Sequence, residues 1–562
     1  MVIVVRCLGA RLFLRIFVFA LPLTSFAKKF IIRVRQEPST TQRSFFATGI
    51  LNHQKLLSLQ KKMNDNPRIR SNTLHHVRSI VAEASSLEEI KAQLSSDLSI
   101  SYIEEDKPIH LATLQSDNYG EQLDNSPYLK ILGFETNNPS QYSASFSPLN
   151  SSDKPLLVAV IDTGMNLEHP FLKPFVSTND GETGLDANGN DKTTNGMDDD
   201  YNGYVDDVNG VSVVDKNGDA KDIQYHGTHV SGLVKTIRDH ALASGYSAAL
   251  KIQVLPIRFF YKCEAIPNDG QICGSVSSAI TALDYALSRG AKVINMSWGS
   301  DTYSQALYET LNELYQKDIT LVAAAGNNAL NVDDYPFFPA ALNPCLPGLI
   351  SVNSITTAGE NENSVRLSSF SNYSSQFVNI SAPGHSVYNN TFGLLSSSGS
   401  YPFGDKFIAL SGTSMASPLV AGITAVMRSL NPTLSAHDIR DILLSSATIP
   451  YDLNTNSKIL SHKNQVDGYA HAIKSFENAL SSPHLKTNNI ESCSLNPVSG
   501  FSSSTQKEQS NGGGGGCAAL ISAHGSNDDT NNPLGGNSLG LLTSLFFFVQ
   551  FLRRMSYKIS RC

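Results

Sequence analysis

Three short segments, far apart in the chain, carry a carboxylate, an imidazole and a hydroxyl that could act together. They are Val-Ala-Val-Ile-Asp-Thr-Gly at 158–164, His-Gly-Thr-His-Val-Ser-Gly at 226–232 and Gly-Thr-Ser-Met-Ala-Ser-Pro at 412–418. A serine hydroxyl is a weak nucleophile at neutral pH, so it needs a base within hydrogen-bond reach, and that base needs an orienting partner. The three segments therefore contain the parts of a nucleophilic hydrolase, provided that the fold brings them together.

In this order, and with separations of 64 and 188 residues, the segments resemble those of the subtilisin-like serine proteases, the subtilase family. The resemblance implies that Ser414 is the nucleophile, that His226 is the base and that Asp162 orients the imidazole. His229 is the other candidate base, and it is predicted to be structural because the family uses the first His of His-Gly-Thr-His. Without the resemblance, the serine could simply cap a helix and the aspartate could stand in a turn.

Asn327 follows an apolar run, Leu-Val-Ala-Ala-Ala-Gly at 321–326, that is typical of a buried strand. In the resembling family this asparagine donates a side-chain hydrogen bond to the oxyanion of the tetrahedral intermediate, and the backbone N–H of Ser414 is the second donor. The positive end of a helix that begins near the serine would favour the same negative charge. The alternative interpretation of Asn327 is an ordinary Gly-Asn turn.

The segment Val-Ile-Asn-Met-Ser-Trp-Gly at 293–299 resembles the strand to which the family binds substrate by adding the peptide as a further strand. Ser297, Trp298 and Gly299 are therefore predicted to line the substrate groove. The alternative is a core strand that ends in a turn, with Trp298, the single tryptophan of the chain, packed inside.

Apolar runs alternate with helical patterns between about residues 120 and 480. Buried strands are predicted at 156–161, 251–257, 292–296 and 319–325, and helices at 229–239, 275–289, 303–317 and 415–430. This alternation predicts an α/β fold, a three-layer, mostly parallel sheet with helices on both faces, as in subtilisins. Sites form at the carboxyl ends of such strands, which is where Asp162 and Asn327 stand.

The 562-residue chain is too long for one ordinary domain. Residues 1–27 have the basic start, the apolar run and the small residues before Lys28 that indicate a signal peptide. Residues 28–115 are predicted to form a small α+β domain that ends near Ile-Glu-Glu-Asp at 103–106 and resembles a subtilase propeptide, which acts as folding chaperone and inhibitor. The alternatives are an uncleaved anchor or a core segment for residues 1–27, and an N-terminal subdomain that stays attached for residues 28–115.

A peptidase domain is predicted at 116–482, followed by a Ser/Asn/Gly-rich linker at 483–516. Residues 517–562 combine a cysteine after a glycine run, an apolar membrane segment at 534–552 and a basic end. This arrangement resembles bacterial C-terminal sorting tails, with the positive charges on the cytoplasmic side. A loosely packed terminal helix is the alternative.

The net charge argues against nucleic-acid binding, and the cysteine usage suggests an exported protein. The formal net charge is −7 and no basic stripe is present. Of the seven cysteines, Cys263 and Cys273 lie ten residues apart and suit a small disulfide of the kind that exported proteins carry. Cys345 and Cys493 could pair or remain thiols, since connectivity does not follow from sequence. No Cys/His spacing suggests zinc.

An acidic loop between the first two motifs suggests structural calcium. Asp198, Asp200 and Asn202 offer oxygens at the alternating spacing with which calcium loops begin, and calcium takes six to eight oxygen ligands. Asn209 stands where a closing bidentate Glu would complete an EF-hand loop, so the loop is not an EF-hand. Many subtilases bind calcium, but the resemblance does not define the ligands, and a solvated acidic loop is the alternative.

The sequence therefore predicts an exported serine endopeptidase that hydrolyses proteins or peptides through an acyl-enzyme on Ser414. Its own propeptide would inhibit it, its C-terminal tail would hold it at the membrane, and it would use calcium but no organic cofactor. A catalytically silent, calcium-stabilised surface protein that only binds peptides or partners is the alternative from another class. A narrow processing protease that cuts one partner is a third hypothesis.

Overall fold

The computed structural model describes most of the chain between residues 28 and 482. The described residues are 28–35, 44–74, 76–94, 97, 99–112, 119–120, 127–134, 154–263, 272–357, 365–390, 407–452 and 457–482. The predicted signal peptide, the linker at 483–516 and the tail at 517–562 with its apolar segment lie outside them. Among the helices of the described ranges, none is both long and apolar enough to cross a membrane.

The N-terminal module is a four-stranded antiparallel sheet, in the order β2-β3-β1-β4, covered by two helices. Its elements are β1 (Lys28–Val34), α1 (Ser44–Asn64), β2 (Arg70–Leu74), β3 (Ser79–Ala84), α2 (Leu87–Leu94) and β4 (Ile100–Glu105). Apolar side chains of β1, β3 and both helices form a separate small core that includes Phe30, Ile32, Leu56 and Ile90. The module therefore has the small α+β architecture that the sequence predicts for residues 28–115.

The remaining strands belong mainly to one large sheet and to a small sheet beside it. They are β5 (Pro108–Leu111), β6 (Tyr119–Gly120), β7 (Leu156–Asp162), β8 (Val211–Ser212), β9 (Ile252–Arg258), β10 (Tyr261–Lys262), β11 (Ile272–Ser275), β12 (Val293–Met296), β13 (Trp298–Gly299), β14 (Thr320–Ala324), β15 (Leu349–Thr357), β16 (Val365–Leu367), β17 (Ile380–Pro383), β18 (Val387–Asn390), β19 (Phe407–Leu410), β20 (Tyr451–Asp452) and β21 (Ser457–Lys458). The large sheet has the order β16-β15-β14-β12-β7-β9-β8, and β17 pairs with β15.

All neighbours in the large sheet are parallel except β15 and β16. The helices are α3 (Pro127–Ile131), α4 (His226–Ala243), α5 (Val276–Ser288), α6 (Gln305–Gln316), α7 (Thr413–Leu430), α8 (Ala436–Ser445) and α9 (Ala472–Ser481). Helices α4 and α7 pack together on one face of the sheet, and α5 and α6 pack together on the other. The predicted three-layer, mostly parallel α/β fold is confirmed.

Helix α7 lies at the centre of the main core. Its sequence is small and apolar from Thr413 onward, and almost every side chain in it is buried. Gly422 lets it approach α4 closely, because a Cβ at this position would lie 2.8 Å from the Cβ of Ile237. The first turn of a helix held this firmly is a rigid support for a functional side chain.

Candidate active site

The structure brings the predicted site residues to one edge of the large sheet. Asp162 is the last residue of β7, and Asn327 follows β14 by three residues. His226 opens α4, and Ser414 is the second residue of α7. Because the strands are parallel, their carboxyl ends meet at this edge, and the two helices begin beside them.

Asp162 and His226 form a buried pair. Nδ1 of His226 lies 2.7 Å from Oδ1 of Asp162, and neither side chain is exposed. The same carboxylate oxygen accepts the backbone N–H of Thr163 at 2.7 Å. Since a carboxylate only accepts, the ring donates through Nδ1, and Nε2 is left to accept a proton. Gly227 permits the close approach, because a Cβ there would lie 2.1 Å from the carbonyl oxygen of Gly164.

Asp222 ties these two segments together, and the sequence analysis did not single it out. Its carboxylate accepts the hydroxyl of Thr163 on one side and the N–H and hydroxyl of Thr228 on the other. It also accepts the backbone N–H groups of Gln224 and Tyr225, and it is only 5% exposed. An aspartate a few residues before a predicted helix is a capping signal that could have identified it.

The hydroxyl of Ser414 donates to the carbonyl oxygen of Ser297 at 2.9 Å, so it bonds to main chain and not to His226. In return, the hydroxyl of Ser297 donates to the carbonyl oxygen of Ser414 at 3.0 Å. Nε2 of His226 is buried and has no hydrogen-bond partner among the described residues. Ser414 and His226 are therefore not hydrogen-bonded to each other in this structure.

Asn327 is oriented by Thr413, the residue before the candidate nucleophile. Its Oδ1 accepts both the backbone N–H and the hydroxyl of Thr413, at 2.9 and 3.0 Å. The hydroxyl of Thr413 in turn accepts the N–H of Gly326 at 3.1 Å. With its oxygen held in this way, the amide presents Nδ2, which is buried and has no partner within the described ranges.

A segment of the N-terminal module runs through the predicted groove. Strand β5 lies antiparallel between β11 and β13, with Trp298 opposite Leu111 and Gly299 opposite His110. Ala112 continues this ladder, because its N–H donates to the carbonyl oxygen of Ser297 at 3.2 Å. Its own carbonyl oxygen accepts the backbone N–H of Ser414 at 3.0 Å. The groove strand therefore holds an extended peptide whose carbonyl group lies at the candidate nucleophile.

The backbones of Ser297, Trp298 and Gly299 take part in this pairing, but the prediction that the Trp298 side chain lines the groove is wrong. The indole is fully buried, and its Nε1 donates to the carbonyl oxygen of Ile161 at 2.9 Å. The ring packs against Phe259 with a centroid distance of 5.1 Å. Side chains alternate between the two faces of a strand, so this residue presents its backbone to the groove and its ring to the core.

His229 is held inside the protein. Its Nε2 lies 3.1 Å from the carbonyl oxygen of Val387 and 3.2 Å from that of Ile408, which joins α4 to β18 and β19. Complete burial, followed by the nearby His226, lowers the pKa of His229 to about 3. A histidine that stays neutral and bonds two carbonyl oxygens has a structural role.

The acidic loop forms a cluster of oxygens that includes a residue the sequence analysis missed. Carboxylate oxygens of Glu182, Asp198 and Asp200 lie within 4.8 Å of one another. Glu182 is fully buried, and its Oε2 has no partner among the described residues. Burial, together with the charges of Asp207 and Asp200, raises the pKa of Glu182, although the backbone N–H groups of Asp200 and Asp199 oppose the shift.

Asn202 does not belong to this cluster. Its side-chain nitrogen donates to Asp200 and Asp207 at 3.2 and 2.8 Å, and its Oδ1 accepts the N–H of Tyr204. An amide that turns its nitrogen toward carboxylates presents no oxygen to a cation there. Asn202 therefore offers no side-chain oxygen to the cluster in this arrangement, and its assignment as a ligand stays a prediction.

The predicted disulfide between Cys263 and Cys273 is present. It joins β11 to the end of β10, and Tyr261 lies opposite Cys273 in that pairing. Since β11 also pairs with β5, the disulfide braces one wall of the groove.

Comparison with known proteins agrees with the geometry. The model of the subtilase family, Peptidase_S8, matches residues 153–472. Subtilisin-like protease 1 of Plasmodium berghei (strain Anka) is 30% identical over 343 residues, which are 58% of this chain and 50% of that protein. Subtilisin DY of Bacillus licheniformis is 32% identical over 227 residues, 40% of this chain and 70% of that protein.

The crystal structure of fervidolysin from Fervidobacterium pennivorans, described as a keratinolytic enzyme related to subtilisin, has the same fold. Its TM-score is 0.53 at 19% identity, over 82% of this chain and 62% of that one. The chain spans half the length of the Plasmodium berghei relative and less of the other Plasmodium proteins it matches.

We predict that Asp222→Ala lowers the free energy of unfolding by about 3 kcal/mol, because several buried donors lose their acceptor at once. Asp222→Asn keeps one acceptor oxygen, so it should lower the free energy of unfolding by less. Urea unfolding checks both, with Asp301→Ala, at an exposed aspartate, as the control. Equal stability of Asp222→Ala and Asp301→Ala would contradict the joining role of Asp222.

Proposed function

The chain belongs to the subtilase family, and we propose that it is a serine endopeptidase that forms an acyl-enzyme on Ser414. The observation that carries the proposal is the peptide carbonyl of Ala112 on the backbone N–H of Ser414, beside two unpaired groups. Those groups are Nε2 of His226, which can take a proton, and Nδ2 of Asn327, which can donate a hydrogen bond. Acyl transfer needs these groups and, in addition, a hydrogen bond between Ser414 and His226, which the serine hydroxyl must turn to make.

In the proposed reaction, the hydroxyl of Ser414 turns from the carbonyl oxygen of Ser297 to Nε2 of His226 and attacks the substrate carbonyl. His226 takes the proton and then gives it to the leaving amine, while Asp162 stabilises the imidazolium. The backbone N–H of Ser414 and Nδ2 of Asn327 donate to the oxyanion. His226 then takes a proton from a water molecule that attacks the acyl group, and it gives this proton to the Ser414 oxygen as the ester bond breaks.

We also propose that residues 28–112 are an inhibitory propeptide and that the bond between Ala112 and Thr113 is the one cleaved. This moves the predicted boundary from 115 to 112. Strand β5 supports the proposal, because it fills the groove in the way a substrate strand would. A chain that leaves its own carbonyl at the nucleophile blocks other peptides from the site.

The acidic residues near the end of the module support this assignment as well. Asp106 accepts the backbone N–H and the hydroxyl of Ser277 at 2.7 and 2.5 Å, at the start of α5. Glu104 accepts the N–H of Ala306 at 3.1 Å, at the start of α6. Carboxylates at helix N-termini are favourable, so these two residues hold the module where β5 must enter the groove.

A buried arginine adds a further contact between the two parts. Arg33 is 2% exposed, and its Nε lies 2.9 Å from a carboxylate oxygen of Glu309 on α6. It also pairs with Glu313, one turn further along the same helix. Removal of one partner of such a pair is costly, which favours a defined docked position over a loose attachment.

The test of both proposals is the intact mass of the purified chain after incubation with a fluorophosphonate probe. Wild type and Ser445→Ala, at an exposed serine of α8, should gain one probe adduct and lose the residues up to Ala112. Ser414→Ala should stay full length and unlabelled.

An adduct with cleavage at another bond would leave the peptidase proposal standing and remove the boundary at Ala112. If wild type stays full length and unlabelled, the chain is not an active serine peptidase, and the catalytically silent peptide-binding protein takes its place.

We propose calcium as a structural ion at Glu182, Asp198 and Asp200. The residues fit, because the site offers only oxygens, holds three carboxylates and includes a buried oxygen without a protein partner. A bound calcium ion would favour the charged form of Glu182, whose pKa is raised by burial and, less strongly, by the charges of Asp207 and Asp200. The ion would stabilise the loop that precedes α4, and it would take no part in the reaction.

Glu182→Gln should weaken calcium binding by about 10-fold or more, because the ligand set loses one charge. Calorimetry on the chelated protein measures this, and the melting temperature of wild type should rise with added calcium. Asp191→Asn, at an exposed aspartate of the same loop, is the control and should bind as wild type does. Absence of both heat and a melting shift in wild type would sink the calcium proposal.

Export is proposed with residues 1–27 as the signal peptide and 517–562 as the sorting tail, and the disulfide supports it, since disulfides persist in oxidising compartments. The Ser414→Ala chain recovered from outside the cytoplasm should begin at Lys28. A chain that stays inside and retains residues 1–27 would contradict export.

A further inference from the structure

The register of the groove defines the side of the strand to which the Ala112 side chain points. Gly299 lies opposite His110 in the antiparallel ladder, so both face the same side. The N–H of Ala112 continues this ladder beyond β5 onto Ser297, two residues before Gly299, so Ala112 takes the next position on that side of the groove strand after the exposed His110. Ala112 is only 3% exposed, so its methyl group is covered there.

The ring of Phe337 lies on this side of the groove. A Cβ on Gly299 would stand 2.3 Å from Cε1 of Phe337, and a Cβ on Gly326 would stand 3.1 Å from its Cδ1. The ring therefore spans the gap between the groove strand and the segment that leads to Asn327. The absence of a side chain at both glycines lets the ring approach both backbones.

These two backbones flank the residue that would supply the scissile carbonyl. Ser297, two residues before Gly299, accepts the N–H of Ala112, and Asn327, directly after Gly326, is the proposed oxyanion donor. A side chain larger than methyl at the position of Ala112 would have to enter the space between them. That space holds an aromatic ring, and closely packed groups yield to extra volume only at a cost.

From this geometry we infer that Phe337 is a specificity-determining residue that restricts cleavage to bonds after small residues such as alanine. The inference rests on the proposed peptidase function and names the substrate class of that same site. The ring of Phe337 lies between the backbones at Gly299 and Gly326, so it leaves a shallow subsite that excludes large side chains. It takes no part in proton transfer or oxyanion binding.

The subsite three residues earlier along the peptide differs, which provides an internal control. Ile109 lies opposite Gly274 and is 1% exposed, and a Cβ on Gly274 would stand 2.6 Å from Cε1 of Phe260. An isoleucine therefore fits against an aromatic ring at this position. The side-chain preference here should not depend on Phe337.

The experiment uses the full chain, incubated until its own processing is complete, and peptides of the sequence Pro-Ile-His-Leu-X-Thr-Leu-Gln, which follows residues 108–115. We expect wild type to cleave after X = Ala at least ~10-fold faster, in kcat/KM, than after X = Leu or Phe. Phe337→Ala should raise kcat/KM for the Leu or Phe peptide by at least ~10-fold and leave that for the Ala peptide within a few-fold. Replacement of Ile by Ala in the peptide should lower kcat/KM by the same factor for wild type and for Phe337→Ala.

The matched control is Tyr335→Ala, which removes an aromatic ring that is 61% exposed in the same loop. It should leave the ratio of kcat/KM for the Ala peptide to kcat/KM for the Leu or Phe peptide unchanged. Titration with the fluorophosphonate probe gives the concentration of folded, active sites in each variant, and Phe337→Leu provides a milder change in case Phe337→Ala folds poorly. Equal cleavage after Ala and Phe by wild type, or an unchanged ratio in both Phe337 variants, would overturn the inference and leave the peptidase function intact. Absence of cleavage and of probe adduct in wild type would overturn both.

Discussion

A carboxylate that has no access to water constrains the whole site. Asp162 is fully buried, and a buried charge is costly unless hydrogen-bond donors surround it. The end of β7 therefore meets the start of α4, where His226 and Thr163 both donate to Oδ1, while Oδ2 has no partner among the described residues. Gly227 makes room for this contact, and the carboxylate of Asp222 accepts hydrogen bonds from both segments. The hydrogen bond to the buried carboxylate of Asp162 therefore also fixes the orientation of the His226 imidazole.

The groove adds a second constraint, because one main-chain oxygen serves two donors. The carbonyl group of Ser297 accepts the N–H of Ala112 and the hydroxyl of Ser414. Strand addition and the orientation of the nucleophile are therefore coupled at a single acceptor. Both bonds are present at once in this structure, so the paired peptide and the Ser414 hydroxyl share one acceptor.

Much of the fold was predictable because its signals are local. Alternating apolar runs and helical patterns indicated the parallel sheet, and the residues that follow β7 and β14 indicated its active edge. Side-chain direction was harder. Trp298 belongs to a groove strand, yet its ring turns into the core, because the face of a strand depends on register. Glu182 escaped notice because it is distant in sequence from Asp198 and Asp200 and no spacing rule connects them.

The sequence by itself identified the residues of the proposed chemistry, since Asp162, His226 and Ser414 stand in short motifs whose residue types carry their meaning locally. The tertiary structure alone decided what lies against those motifs. It placed the carbonyl group of Ala112 on the backbone N–H of Ser414 and the ring of Phe337 across the groove. Such contacts join separate segments of the chain, and they follow from strand register and close packing, which a local pattern does not encode.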